Sequence, residues 1–143
     1  MTELRTAYQP PPSPARTRPP SRRPLRLGLV QERWHPDPVE HEKALATGIR
    51  IAADEGARVV CLQELTLSRY FAVTPDGPQA AGAEPEDLES GRTLAFARRV
   101  AAEVGAYVHA SLFEHADGPD GPDGLGYNTA ILVAPDGRLV TRT

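Results

Sequence analysis

The run Ala57-Arg58-Val59-Val60-Cys61-Leu62 constrains the fold more than any other stretch of this chain. It is short, rich in β-branched residues and apolar on both faces, which is what an interior parallel strand requires. A strong helix signal precedes it. Asp37 supplies an N-cap, Pro38 the first helical position and Glu40 the far end of a capping box. Leu45, Ile49, Ala52 and Ala53 then form an apolar stripe at helical spacing, and Gly56 ends the helix. Upstream, Leu25–Gln31 alternates as a strand. Strand, helix, strand implies a right-handed crossover and a parallel pair.

The pattern repeats once and then changes. A long polar stretch follows Phe71. Ser90 is expected to cap a second helix, whose Leu94, Ala97, Ala101 and Val104 share a face and which Gly105 closes. Tyr107–Phe113 reads as a third strand and Tyr127–Ala134 as a fourth, which Pro135-Asp136-Gly137 turns into a fifth over Arg138–Arg142. The order is β-α-β-α-β-β-β, an α/β class with a parallel start and a final antiparallel hairpin.

With 143 residues the chain fits one domain, divided at residue 24. Residues 1–24 form a proline- and arginine-rich leader, expected to be disordered, with a net charge of +4 that leaves −7 on residues 25–143. An overall charge of −3 is too small to argue for a nucleic-acid partner. One cysteine excludes an internal disulfide, and no apolar run approaches the roughly 18 residues of a membrane span, so a soluble cytoplasmic protein is expected.

Ligands of open α/β sheets bind beyond the carboxyl ends of the strands. Glu64 stands at the end of the second strand and Glu114 at the end of the third. If these strands are neighbours, the two carboxylates project into one crevice and one of them is driven towards a base or shared-proton role. The alternative is a pair of solvated loop glutamates. Cys61 lies inside the apolar run and, an odd number of residues from Glu64, should face the other side of the sheet as an inert core thiol. Ser68 and Ser111 lack the glycine-flanked elbow of a hydrolase nucleophile. His35, His41, His109 and His115 show no metal spacing, and His109 reads as a hydrogen-bonded sheet residue. Ala116–Gly126, with its repeated Asp-Gly-Pro, lacks the order of an EF-hand and reads as a flexible loop.

Taken together, "LRLGLVQ", "VVCLQELTLSRYF" and "AYVHASLFEHADG…YNTAILVAPDGRLVTRT" resemble the opening half of the carbon–nitrogen hydrolase, or nitrilase, superfamily over residues 25–143. The branch with N-carbamoylputrescine amidase and β-ureidopropionase is the most similar. The resemblance implies the N-terminal half of a four-layer α-β-β-α sandwich and a Glu-Lys-Cys mechanism without metal or organic cofactor. It implies Glu64 as general base, Glu114 as a second active-site glutamate, and Tyr70 and Phe71 lining the substrate pocket. A small amide or N-carbamoyl amine is the implied substrate, and a homo-oligomer the implied assembly of a full-length parent.

This sequence departs from the family pattern in a definite way. The family's lysine follows the "GRLV" strand and its cysteine comes later still, whereas Thr143 is the last residue here. Lys43 lies in the first helix and Cys61 precedes Glu64, so neither matches. The chain is therefore expected to be a truncated half that is inactive alone, with apolar strand faces left uncovered. The other reading is a non-catalytic remnant or the partner-binding subunit of a split enzyme.

Overall fold

Asp37 starts the first helix, α1 (Pro38–Asp54), because its extended backbone lets the carboxylate accept the Val39 N–H at 2.8 Å. At the other end Gly56, at φ +86°, donates to Ala53 O at 2.8 Å, and Ala57 donates to Ala52 O at 3.0 Å. This is a Schellman closure that only a residue tolerating positive φ completes without strain. His41, Leu45, Ile49 and Ala52 form the buried stripe between these ends. The computed structural model describes residues 2–7, 14–15, 18, 21–116 and 126–143. Most of the Tyr8–Pro24 leader and nearly all of the Ala116–Gly126 loop lie outside the described residues.

The second long helix, α3 (Arg92–Val104), follows a short turn of helix, α2 (Gly77–Ala80), within the polar stretch. Ser90 does not cap α3. Gly91 is the N-cap, and the carboxylate of Glu86 reaches in to accept the Thr93 N–H at 2.9 Å and the Thr93 hydroxyl at 2.5 Å. A carboxylate at a helix N-terminus satisfies an orphan donor and meets the positive end of the dipole, which a serine hydroxyl does less well. Ser90 instead gives its backbone N–H and its hydroxyl to Asp87, each at 2.8 Å, and these bonds hold the Asp87 carboxyl below its usual range.

All five strands join one sheet in the order β1 (Leu27–Leu29), β2 (Val59–Cys61), β3 (Tyr107–Glu114), β4 (Tyr127–Val133) and β5 (Leu139–Arg142). The pairs β1–β2 and β2–β3 are parallel; β3–β4 and β4–β5 are antiparallel. Two right-handed crossovers moving in one direction across a sheet place both helices on the same face. That face carries the row Gly28, Val60, Val108 and Val133, with Ala110, Leu112 and Ile131, all buried beneath α1 and α3. The opposite face carries Leu27 and Leu29, 55% and 81% exposed, and Cys61, His109 and Leu132 in the same row as Leu29. The chain thus builds one helix layer and one sheet layer of the α-β-β-α stack. The fifth strand contains a bulge. Leu132 pairs with Thr141 while its neighbour Val133 pairs with Leu139, so Val140 is the extra residue and Arg142 turns to the helix side.

Gly28 marks a close approach of α1 to the sheet, since a Cβ there would lie 2.7 Å from the Ala52 Cβ. Gly28→Ala should therefore lower stability by about 1–3 kcal/mol through overpacking. Chemical denaturation should show a lower midpoint with an unchanged slope; an unchanged midpoint would mean that the helix shifts freely.

Candidate functional site

The edge of β3 shows how Glu64 is presented. His109 O accepts from Leu62 N at 3.0 Å, Ser111 O from Thr66 N at 2.8 Å and Phe113 O from Glu86 N at 2.8 Å. Alternate β3 carbonyls along this edge are thus taken by residues 62, 66 and 86, and residues 63–65 are looped out of the ladder. Thr66 is locked on its return. Its hydroxyl donates to Gln63 O at 3.0 Å and accepts the Ser111 N–H at 3.0 Å. Its carbonyl contacts His41 Nε2 at 2.9 Å, and because a carbonyl only accepts, Nε2 carries the hydrogen. The Gln63 side chain accepts the Glu32 N–H at 2.7 Å, tying the excursion to the chain after β1.

Leu65 closes the excursion with a left-handed φ of +51°, the only positive value among the described non-glycine residues. Such a conformation costs about 1–2 kcal/mol for a branched L-residue. Two observations show what offsets it. The Leu65 side chain is only 2% exposed, a burial worth about 1.5–3 kcal/mol. Its N–H donates to Ser111 Oγ at 3.1 Å. The left-handed step leaves the neighbouring Glu64 exposed, and its Oε1 accepts a hydrogen bond from Asn128 Nδ2. Asn128 Oδ1 in turn accepts from Ser111 Oγ at 3.1 Å.

Glu114 does not share this place. β2 and β3 are neighbours, as the common crevice required, but the carboxylates lie on opposite sides of the sheet. Glu64 is bonded to Asn128 and Glu114 to Thr129, consecutive β4 residues whose side chains leave opposite faces. Nor is Glu114 a solvated loop group. It is 7% exposed, accepts the Thr129 hydroxyl at 2.6 Å, and pairs with Arg142 Nη1 at 2.8 Å. The β5 bulge makes this pair geometrically available. Glu114 therefore fastens the end of β5 on the helix side.

Cys61 also departs from expectation. Val60 faces the helices, so Cys61 faces the uncovered side, beside Leu29 and His109, and is half-buried. The alternation linking Cys61 to Glu64 stops at Leu62 because the following three residues leave the ladder; Cys61 and the Glu64–Asn128 contact consequently share one side. Burial pushes the thiol above its usual range, as expected of an inert cysteine. His109 Nδ1 is buried and has no hydrogen-bond partner among the described residues. Phe71 lies on this same side, stacked on Phe113 with ring centroids 4.8 Å apart and tilted by 58°, while Tyr70 is 42% exposed. Ser111, Asn128, Thr66 and His41 were missed by sequence reasoning as parts of the site. The available signal was a polar residue at a position that strand or helix periodicity assigns to burial. Among the described residues no group of three or more His, Cys, Asp or Glu side chains is arranged to hold a metal ion, and no helix is long and apolar enough to cross a membrane.

The family model for carbon–nitrogen hydrolases matches residues 26–143. Among solved structures, a carbon–nitrogen hydrolase from Helicobacter pylori G27 is similar at 23% identity and a TM-score of 0.67, over 82% of this chain and 38% of that one. A mutant of the Nesterenkonia AN1 amidase from the nitrilase superfamily is similar at 20% identity and a TM-score of 0.57, over 83% of this chain and 42% of that one. A further amidase structure from Nesterenkonia sp. gives 22% identity and a TM-score of 0.55, over 82% and 41%. The chain thus spans about two fifths of the length of these proteins. No curated protein sequence matches it.

Two measurements check this geometry. Arg142→Ala should leave the buried Glu114 carboxylate with Thr129 as its remaining side-chain donor, costing about 1–3 kcal/mol. Amide exchange should then quicken over Leu139–Arg142 before it quickens in β3; uniform loss would contradict a local clamp. The raised Cys61 pKa predicts slow alkylation by iodoacetamide at pH 8, accelerating with rising pH and on denaturation. A native rate equal to that of the denatured chain would contradict the burial.

Proposed function

The chain belongs to the carbon–nitrogen hydrolase family, and from that premise we propose that it carries Glu64 as the general base of an amide- or N-carbamoyl-cleaving enzyme. The observation that supports this reading is the excursion of residues 63–65. It spends a left-handed leucine to hold one carboxylate clear of the ladder at the carboxyl end of β2, where ligands of open α/β sheets bind. In the proposed reaction Glu64 takes the proton from a cysteine thiol as the thiolate attacks the carbonyl carbon. A lysine stabilises the oxyanion. Glu64 returns that proton to the leaving nitrogen, so that ammonia or amine departs, and then, ionised again, takes a proton from the water that hydrolyses the thioester.

In this reading the lysine and the cysteine come from outside residues 1–143, in a longer polypeptide or a second chain. The amidases from Nesterenkonia support the substrate class, and one mutant of that enzyme carries acrylamide added at its active-site cysteine. Tyr70 and Phe71 take the role of pocket wall, since Phe71 packs on the Glu64 side of the sheet. Glu114 acts on the site indirectly, by fixing Arg142 and hence the direction in which the chain leaves β5. N-carbamoyl amines such as N-carbamoylputrescine are the proposed substrates within the class. A second reading, a partner-binding subunit of a split enzyme, draws support from the exposed Leu27 and Leu29.

Ammonia release from N-carbamoylputrescine and from simple aliphatic amides tests the proposal. Residues 1–143 alone should be silent. The gene product or complex that supplies lysine and cysteine should turn over and lose about 10²–10⁴-fold in kcat with Glu64→Gln. Undiminished turnover by that variant would remove Glu64 from the mechanism.

A further inference from the structure

We infer that Asn128 is the positioning residue for Glu64, and that Oε2 rather than Oε1 is the oxygen through which Glu64 moves a proton. The inference rests on the reading of Glu64 as base and deepens it. The hydrogen bonds from Leu65 to Ser111, from Ser111 to Asn128 and from Asn128 to Glu64 have only one consistent direction. An ionised carboxylate can only accept, so Asn128 must present its NH₂ group to Oε1 and its carbonyl to Ser111. Ser111 therefore spends its single hydroxyl hydrogen on Asn128 Oδ1, and its lone pairs remain for the Leu65 N–H. The chain begins at the backbone of residue 65 and ends on the side chain of residue 64. It closes a ring across three elements: the loop after β2, the middle of β3 and the start of β4.

The ring has two consequences. An exposed glutamate ordinarily samples several rotamers, and a fixed donor on one oxygen selects among them. A donor already seated on Oε1 takes one of that oxygen's two lone pairs and fixes its direction, whereas Oε2 has no hydrogen-bond partner among the described residues and keeps both. Asn128 and Glu64 share the uncovered side of the sheet, so Oε2 stays open to an approaching group there. A reaction in which Glu64 both removes a thiol proton and activates water needs one oxygen that is aimed and unoccupied. The left-handed Leu65 belongs to the same device, because in that conformation its N–H donates to Ser111 Oγ.

NMR spectroscopy of the 143-residue chain tests this without using turnover. One Asn128 carboxamide proton should resonate downfield and exchange slowly, and Glu64→Ala, an exposed substitution that leaves the fold in place, should return it to an ordinary position. Ser111→Ala should speed exchange of the Leu65 amide by about tenfold, the loss of one hydrogen bond, while Glu64→Ala leaves that rate alone. Asn128→Leu should collapse the Glu64 side-chain couplings to rotamer averages with the backbone spectrum otherwise retained. An Asn128 resonance indifferent to Glu64→Ala, or Glu64 couplings indifferent to Asn128→Leu, would overturn the inference. Should Asn128→Leu fail to fold, the Glu64→Ala comparison decides alone. An active Glu64→Gln enzyme with these signals intact would refute the base and spare the network; the converse result would do the opposite.

Discussion

The return of Thr66 to the edge of β3 is the contact on which the site depends. Its N–H on Ser111 O, its hydroxyl on the Ser111 N–H and its carbonyl on His41 join β2, β3 and α1 at one residue. Because both ends of the excursion, Leu62 and Thr66, are bonded to β3, residues 63–65 have to turn outward. Glu64 is displayed as a consequence of that constraint and not through any preference of its own. The strain of a left-handed Leu65 persists because burial and the Ser111 hydroxyl over-determine it.

The two faces of the sheet have different tasks. Beneath the helices, Gly28, Val60, Val108 and Val133 close the core, and Glu114 joins Thr129 and Arg142 at its margin. On the other side stand the Glu64–Asn128–Ser111 ring, the Phe71–Phe113 stack and the exposed Leu27 and Leu29. A polar group placed on the helix side is drawn into holding the fold, since burial makes an unpaired carboxylate expensive. A carboxylate on the open side can stay exposed and reactive. That difference separates Glu64 from Glu114, although both end neighbouring strands.

Much of the architecture was legible because local signals agreed with one another. Asp37, Pro38 and Gly56 delimit α1, Gly105 ends α3, and Pro135-Asp136-Gly137 turns β4 into β5. The failures have physical causes of their own. Ser90 lost its cap to Glu86, a carboxylate seven residues from Thr93, beyond the range of local capping rules. Cys61 and Glu64 ended on one side because strand alternation holds only while the ladder continues. Arg142 reached Glu114 only through the extra residue Val140, and no residue pattern announces a bulge of that kind.

The sequence by itself determined the order and type of the five strands and two long helices, though not the short α2, together with the parallel start, the position of Glu64 at a strand end and the family, all of which rest on short-range periodicity, caps and contiguous motifs. Only the tertiary structure decided which side of the sheet each carboxylate serves, and that Asn128 and Ser111 attend Glu64. Those choices depend on register, on a bulge and on a left-handed residue. Such features are settled by contacts between residues 46 and 64 positions apart, where local propensity has no reach.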